Sequence, residues 1–263
     1  MEMFDQLLGR IYNLLDRFVE FLKYITRLEI MMKLNEISKK IHSLLIVLAI
    51  IFLTILFIVV SIYAGDGQYI TYAVMSIVGL LVLSYLSKDF HGACEVLISS
   101  NRTTLSNNAI LRFYAITTIL ISAVTLLGAI VSFFNGDIEL FIILLIYALL
   151  LYVSAGTLFN PSLININISS DSSSGEDLIT IFSSGLKSFV YLQRIISSLL
   201  ILIGIIKTIE VIVDYSFYFD DMYFAAGLIA GGIAFSIIAY LLFLILWFVY
   251  SIFLSILSLK RPN

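Results

Sequence analysis

The sequence predicts an all-α integral membrane protein with six transmembrane helices, and three observations lead to this fold class. The 263 residues are 61% hydrophobic and 13% charged, whereas a soluble domain is about 45–50% apolar. Six apolar runs reach the length of about 20 residues that a helix needs to cross a bilayer. The basic residues are placed between alternate runs.

The placement of the basic residues predicts the orientation of the chain. When the connecting segments are assigned alternately to the two sides of the membrane, 14 of the 15 Lys and Arg fall on one side. The turns on the other side carry only acidic charges, at Asp66, Asp137, Glu139, Asp214, Asp220 and Asp221. The positive-inside rule then predicts that both termini are cytosolic, in the plasma membrane or, in a prokaryote, the inner membrane.

Residues 1–42 are predicted to form a cytosolic region built on a long amphipathic helix over 3–34. Its apolar residues follow one another at alternating spacings of four and three, which is a heptad pattern. They are Phe4, Leu8, Ile11, Leu15, Phe18, Leu22 and Ile25. We expect this face to pack on the protein's own loops or on neighbouring subunits, with Phe18 and Leu22 as candidate assembly residues. Attachment to the membrane surface is the alternative, because the apolar face is wide.

The transmembrane domain is predicted over residues 43–259. Its helices are expected at about 43–64, 69–87, 112–134, 139–158, 190–213 and 222–258. Gly65-Asp66 and Gly136-Asp137 close the first and third helices, and the two Asp residues lie 71 positions apart. The third pair of helices has its acidic turn at Asp220 and keeps a similar internal length. This pattern predicts three tandem helical hairpins, although any six-helix protein with short outer turns has similar spacings.

The two predicted cytosolic loops, 88–111 and 159–189, each contain a candidate strand. Leu163–Ile168 alternates apolar and polar residues with period two, which is a strand pattern. Ala93–Ile98 lies at the matching place in the earlier loop. We expect the two segments to pair in a small cytosolic β-ribbon, and two unrelated extended loops are the alternative.

A helix is predicted to follow the second candidate strand. Ser173, with Glu176 three residues later, is a capping-box pattern. It predicts an amphipathic helix over about 174–189 that leads into the fifth transmembrane helix. The chain is expected to end in a cytosolic tail at 260–263.

The fifth helix contains the only ionisable groups well inside an apolar run, Lys207 and Glu210. A charge at the bilayer centre costs about 2.5–3.5 kcal/mol, so such groups usually pair or line a cavity. The two residues are one helical turn apart and therefore predict an ion pair near the outer surface. The alternative is a pathway or gating role, with Asp214 as a third candidate.

The last apolar run, 222–258, carries no charge. As one helix it would be about 55 Å long, beyond a hydrocarbon core of about 30 Å. We expect it to tilt, to kink at Gly231-Gly232 or to project into the cytosol, with two short spans as the alternative. Gly227 and Gly231 form a small-xxx-small pattern that favours close helix packing, so they are candidate assembly residues.

The sequence contains no motif that predicts chemistry. It has no nucleotide-binding loop, hydrolase motif or paired metal ligands, and His42 and His91 are isolated at predicted cytosolic boundaries. We therefore expect no catalytic, cofactor-binding or metal-binding residues, no nucleic-acid partner and no enzymatic activity.

Two functional hypotheses remain. The first is a scaffold or structural subunit of a membrane complex, in contact with the lipid bilayer and with copies of itself or other membrane subunits. The second is an ion channel or small-solute transporter with Lys207 and Glu210 near its pathway.

Overall fold

The computed structural model describes residues 2–170, 172–214 and 217–258. In these residues the chain forms seven helices: α1 (Glu2–Ile25), α2 (Leu28–Ala64), α3 (Gln68–Ser100), α4 (Ala109–Phe134), α5 (Ile138–Phe159), α6 (Ser174–Val213) and α7 (Phe219–Ser258). It also forms two short strands, β1 (Thr103–Leu105) and β2 (Ile166–Ile168), and a 3-10 turn at Pro161–Ile164. Six helical segments are long and apolar enough to cross a membrane. The all-α class is confirmed, and the predicted tail at 260–263 lies outside the described residues.

The chain divides into two compact units. The first unit comprises residues up to 34 and residues 102–188, and the second comprises residues 35–101 and those from 189 onward. Helices α2 and α6 contribute residues to both units.

The first unit is built on α4 and α5, which pack along each other. Helix α1 contributes Leu22 to a small apolar cluster with Ile119 and Ala155. The expected continuous helix over 3–34 is wrong, because the chain leaves the helix at Thr26-Arg27 and begins α2 at Leu28. Side chains of the α5 region compete for the carbonyls there: Tyr152 donates a hydrogen bond to Ile25 O, and Asn160 donates one to Thr26 O.

The predicted β-ribbon is present. Strands β1 and β2 pair in parallel, with Thr103 opposite Ile166 and Leu105 opposite Ile168. The position expected for the first strand is wrong, since Ala93–Ile98 is helical and α3 continues to Ser100. Nothing breaks the helix before Asn101, whose side-chain amide donates to Leu97 O at 2.7 Å.

The second strand is shorter than the alternating pattern suggests. The chain turns at 161–164, passes through Asn165 in the left-handed conformation with φ 53°, and is extended only from Ile166. The ribbon is tied to α6 by Lys187, a fully buried side chain whose amine donates to Thr103 Oγ1 at 3.0 Å and to Asn165 O at 3.3 Å.

The predicted capping box at the start of α6 is confirmed. Ser173 N donates to Glu176 Oε2 at 2.9 Å, and Glu176 N donates to Ser173 Oγ at 3.4 Å. Next to it, Asp177 accepts hydrogen bonds from the backbone and hydroxyl of Ser106 and from the hydroxyl of Ser172. The loop after β1 is thereby fixed to the first turn of α6.

Two of the long helices are continuous where the sequence suggested a boundary. The amphipathic segment expected over 174–189 and the helix expected over 190–213 are one helix, α6. Helix α7 runs through Gly231-Gly232 without interruption. The alternative prediction, that this run forms two short membrane spans, is therefore wrong. No proline occurs in either helix, and the glycines, including the adjacent Gly231 and Gly232, do not end them.

The two Gly-Asp turns singled out in the sequence have the same local design. Gly65 and Gly136 have positive φ values, 64° and 79°, which glycine adopts without steric cost. Asp66 Oδ1 then accepts from Gln68 N at 2.9 Å, and Asp137 Oδ1 accepts from Leu140 N at 3.0 Å. Each Asp carboxylate therefore satisfies a free N–H group at the start of the next helix.

Candidate functional site

The candidate site lies in the second unit, where parts of α2, α3, α6 and α7 share an apolar core. Helices α6 and α7 approach each other closely at two glycines. A Cβ atom added to Gly204 would lie 3.0 Å from Ile229 N, and one added to Gly232 would lie 2.9 Å from Ile201 N. The close packing leaves little room for polar groups unless they bond to one another.

Two histidines form the centre of the site. His42 of α2 and His91 of α3 are only 5% and 4% exposed, and their Nε2 atoms are 3.1 Å apart. The rings meet edge to face at 84°, with centroids 4.7 Å apart. The hydroxyls of Ser197 and Ser198 lie 3.4 Å and 3.3 Å from His42 Nδ1. The pair therefore joins α2, α3 and α6.

The neighbouring hydroxyls favour one placement of the ring hydrogens, because the donor and acceptor roles of both rings depend on the tautomer. Ser197 donates to Gly232 O at 2.5 Å and Ser198 donates to Arg194 O at 2.8 Å. Because a hydroxyl has a single hydrogen, both oxygens can only accept from His42. His42 then carries its hydrogen on Nδ1, and its Nε2 accepts the Nε2–H of His91.

This assignment leaves an unused acceptor inside the bundle. In this arrangement His91 Nδ1 is an acceptor that meets no hydrogen-bond partner by geometry among the described residues, and Gln193 Oε1 meets none either, although the Gln193 side chain interacts with His91. Both side chains are more than nine-tenths buried. Buried polar atoms without partners are uncommon in proteins and need an explanation. The histidine pair is therefore the strongest candidate for function in the second unit.

A second buried contact extends the polar network to α7. The hydroxyls of Ser87 and Ser236 are 2.9 Å apart, and Cys94 Sγ lies 3.8 Å from Ser236 O. Close by, Glu95 accepts from both Lys39 and Arg194, each at 3.0 Å. Polar contacts thus join all four helices of the unit, with the ion pairs at its more exposed edge.

Lys207 and Glu210 form the ion pair that their spacing predicts. The Nζ–Oε2 distance is 2.8 Å, and the two side chains are 39% and 50% exposed. Asp214, at the end of α6, is exposed and donates its backbone N–H to Glu210 O. Lys207 and Glu210 therefore lie on the surface of α6 and Asp214 lies in the turn after it, and a gating role stays a prediction.

The candidate assembly residues fall into two groups. Leu22 is 5% exposed and packs within its own chain, whereas Phe18 is 41% exposed. Gly227 and Gly231 face open space, because a Cβ atom added to either would have no heavy atom within 4 Å. Phe18 and the two glycines are therefore accessible to another molecule.

The histidine site was not among the sites predicted from the sequence. His42 and His91 were interpreted as isolated residues. They are 49 positions apart in the sequence, but their side chains are in contact, so this interpretation is wrong. Both were expected at the same boundary of neighbouring helices, which was the signal for their proximity. Among the described residues, no group of three His, Cys, Asp or Glu side chains is placed to hold a metal ion.

Comparison with known proteins adds no assignment. No protein family, curated protein sequence or solved structure matches this chain. Its function has to be inferred from its own residues.

Proposed function

We propose that this chain is a multi-pass membrane protein that serves as a structural subunit of a membrane complex, formed with copies of itself or with other membrane proteins. In this proposal α2 to α7 cross the bilayer as three hairpins, and both termini are cytosolic. The six long apolar helical segments support the membrane location. The concentration of Lys and Arg on one side supports the orientation.

The observation that carries the proposal is the free apolar face of α1. Leu14, Phe18 and Phe21 are exposed and share one face of the helix, at spacings of four and three residues. Val19 and Leu22 are buried on another face of the same helix. An exposed apolar row of this kind marks a surface for a protein or a membrane.

The end of α1 is fixed to the first unit. Tyr152 and Asn160 bond to the carbonyls of Ile25 and Thr26, and Leu22 packs against Ile119. The free face is therefore presented in a defined orientation. A defined orientation suits a specific protein contact, since attachment to lipid requires only that the helix lies flat.

The experiment is to extract the tagged protein from its own membrane in a mild detergent and to measure the mass of the complex. Replacing Phe18 and Phe21 by Asp is expected to reduce that mass to the mass of fewer subunits. Tyr12→Asp is the matched control, because Tyr12 is an exposed aromatic residue on another side of α1. A complex that keeps its mass in the double variant would leave α1 as a helix on the membrane surface and refute the docking role.

A small-solute or ion transporter is the second candidate, and the buried histidine pair favours it. Ionisable residues buried among membrane helices often belong to a transport path or a proton relay. The test is flux of H⁺ and K⁺ into liposomes that contain the purified protein, with His91→Gln and with Lys207→Gln/Glu210→Gln. A transporter would lose flux with at least one of these changes, whereas wild-type liposomes as tight as empty ones would exclude transport of these ions.

A further inference from the structure

An open apolar groove lies between helices of the second unit. It has a volume of about 570 Å³, and its lining includes Leu53 of α2, Gly79 and Leu83 of α3, and Ala226 and Ala230 of α7. A Cβ atom added to Gly79 would have no heavy atom within 4 Å, so the groove is open beside this glycine. Small residues on two helices thus leave open space between them.

The groove continues into a second cavity with a different lining. This cavity has a volume of about 260 Å³ and shares Ser76 and Ala226 with the groove. Three tyrosines, Tyr69, Tyr72 and Tyr223, also line it. The combined space is therefore apolar in the groove and amphipathic in the second cavity.

The amphipathic end lies in an acidic part of the chain. The sequence around its tyrosines carries Asp66 before α3 and Asp220 and Asp221 in the first turn of α7, and neither 65–72 nor 217–226 contains Lys or Arg. Carboxylates repel an anionic group and attract an ammonium group. Tyrosine rings also bind cations over their faces and favour the membrane–water boundary.

We propose that this groove binds one phospholipid whose headgroup carries a positively charged amine. An acyl chain lies along Gly79, Leu83 and Ala230, and the headgroup lies among the tyrosines. The volume of the groove is in the range of small-molecule sites, about 300–1,000 Å³. The site rests on the membrane location in the proposed function.

The test uses native mass spectrometry of the delipidated protein in a mild detergent. The probes are phosphatidylethanolamine and phosphatidylglycerol with identical acyl chains. We expect the wild-type protein to retain one phosphatidylethanolamine and to retain phosphatidylglycerol at least fivefold less. Asp220→Asn/Asp221→Asn is expected to remove this preference while the chain still binds lipid.

Gly79→Leu fills the groove and is expected to reduce lipid retention at least fivefold. Gly92→Leu is the matched control, since Gly92 lies on the same helix, also has open space around it and does not line the groove. A thermal unfolding midpoint equal to that of the control establishes that Gly79→Leu is folded. If it is not, Ala230→Leu on α7 replaces it in the same comparison.

Three results would overturn the proposal. They are equal retention of lipid by Gly79→Leu and Gly92→Leu, a preference for phosphatidylglycerol, or a smaller complex for Gly79→Leu with unchanged lipid retention. The last result would identify the groove as a subunit contact. Failure of the docking role of α1 is separate, because it is measured as complex mass in the Phe18 and Phe21 variant, whose groove is intact.

Discussion

Two neighbouring glycines in α7 give the sharpest test of the helix packing. Gly231 and Gly232 are adjacent in sequence but face different surroundings. A Cβ atom at Gly232 would lie 2.8 Å from Ile201 Cγ1, 2.9 Å from Ile201 N and 3.0 Å from Leu200 Cβ, whereas one at Gly231 would meet nothing within 4 Å. We therefore expect Gly232→Ala to destabilise the protein and Gly231→Ala to be tolerated.

The magnitude follows from these contacts. Carbon atoms pack best at about 3.5–4.0 Å, so the neighbours of the new methyl group must move by roughly 0.5–1 Å. Ile201 N belongs to the backbone and cannot rotate away, so α6 and α7 must separate. Overpacking of this kind costs about 1–3 kcal/mol. The gain in helix propensity on replacing glycine, up to about 1 kcal/mol, is common to both variants and cancels in their comparison.

The assay is thermal unfolding of the two purified variants in the same detergent. For a chain of this size about 1 kcal/mol corresponds to about 2–4 °C, so Gly232→Ala is expected to unfold about 2–12 °C below Gly231→Ala. The separation of the helices also strains the hydrogen bond from Ser197 to Gly232 O, which favours the upper part of that range. Equal midpoints for the two variants would refute the packing of α6 on α7.

Three further predictions concern the polar contacts. Ser87→Ala and Ser236→Ala each remove the buried hydroxyl pair between α3 and α7. A double-mutant cycle of unfolding free energies is expected to give a coupling of about 0.6 kcal/mol and at most about 1.7 kcal/mol. Additive effects of the two substitutions would contradict the contact. Because the chain has two histidines, ¹⁵N-histidine NMR reports only His42 and His91. We expect one ring to carry its hydrogen on Nδ1 and the other on Nε2, and the spectrum of His91→Gln is expected to assign the Nδ1–H ring to His42. The same tautomer in both rings would contradict the assignment. Hydrogen bonds from Ser106 and Ser172 hold the pKa of Asp177, in the polar first turn of α6, below its ordinary value of 3.8, so this carboxylate stabilises the fold above about pH 4 and the contribution is lost as pH falls below that value. We expect the resistance of the ribbon to proteolysis to drop below that pH in the wild-type protein, and to be lower but less pH-dependent in Asp177→Asn. Identical pH profiles for the two proteins would count against the contact.

The local features of this chain could be read from its sequence because they depend on neighbouring residues. The apolar runs, the glycines at the two acidic turns and the capping box at Ser173 each act over a few positions, and the structure contains all of them. The period-two pattern likewise gave the second strand of the ribbon. The existence of a partner strand was predicted correctly, but its position was not. The strand was expected to end at Ile98, and its last paired residue is Leu105, seven positions later.

The features that failed depend on contacts between distant residues. The break at Thr26 exists because Tyr152 and Asn160, more than a hundred positions away, bond to the backbone there. Heptad spacing cannot include that competition, so it predicted a continuous helix. The extension of α3 past Ile98 has a local reason instead, because no residue in Ala93–Ile98 ends the helix before Asn101.

Composition, length and charge distribution by themselves determined that the protein is helical and has six segments able to cross a membrane, because hydrophobicity and helix length are properties of single segments. They also determined the ion pair between Lys207 and Glu210, since one helical turn separates these residues. The tertiary structure decided which residues meet across helices. It brought His42 to His91, distinguished the packed Gly232 from the open Gly231, and left a groove beside Gly79, because each of these depends on the relative rotation of two helices and no local pattern specifies that rotation.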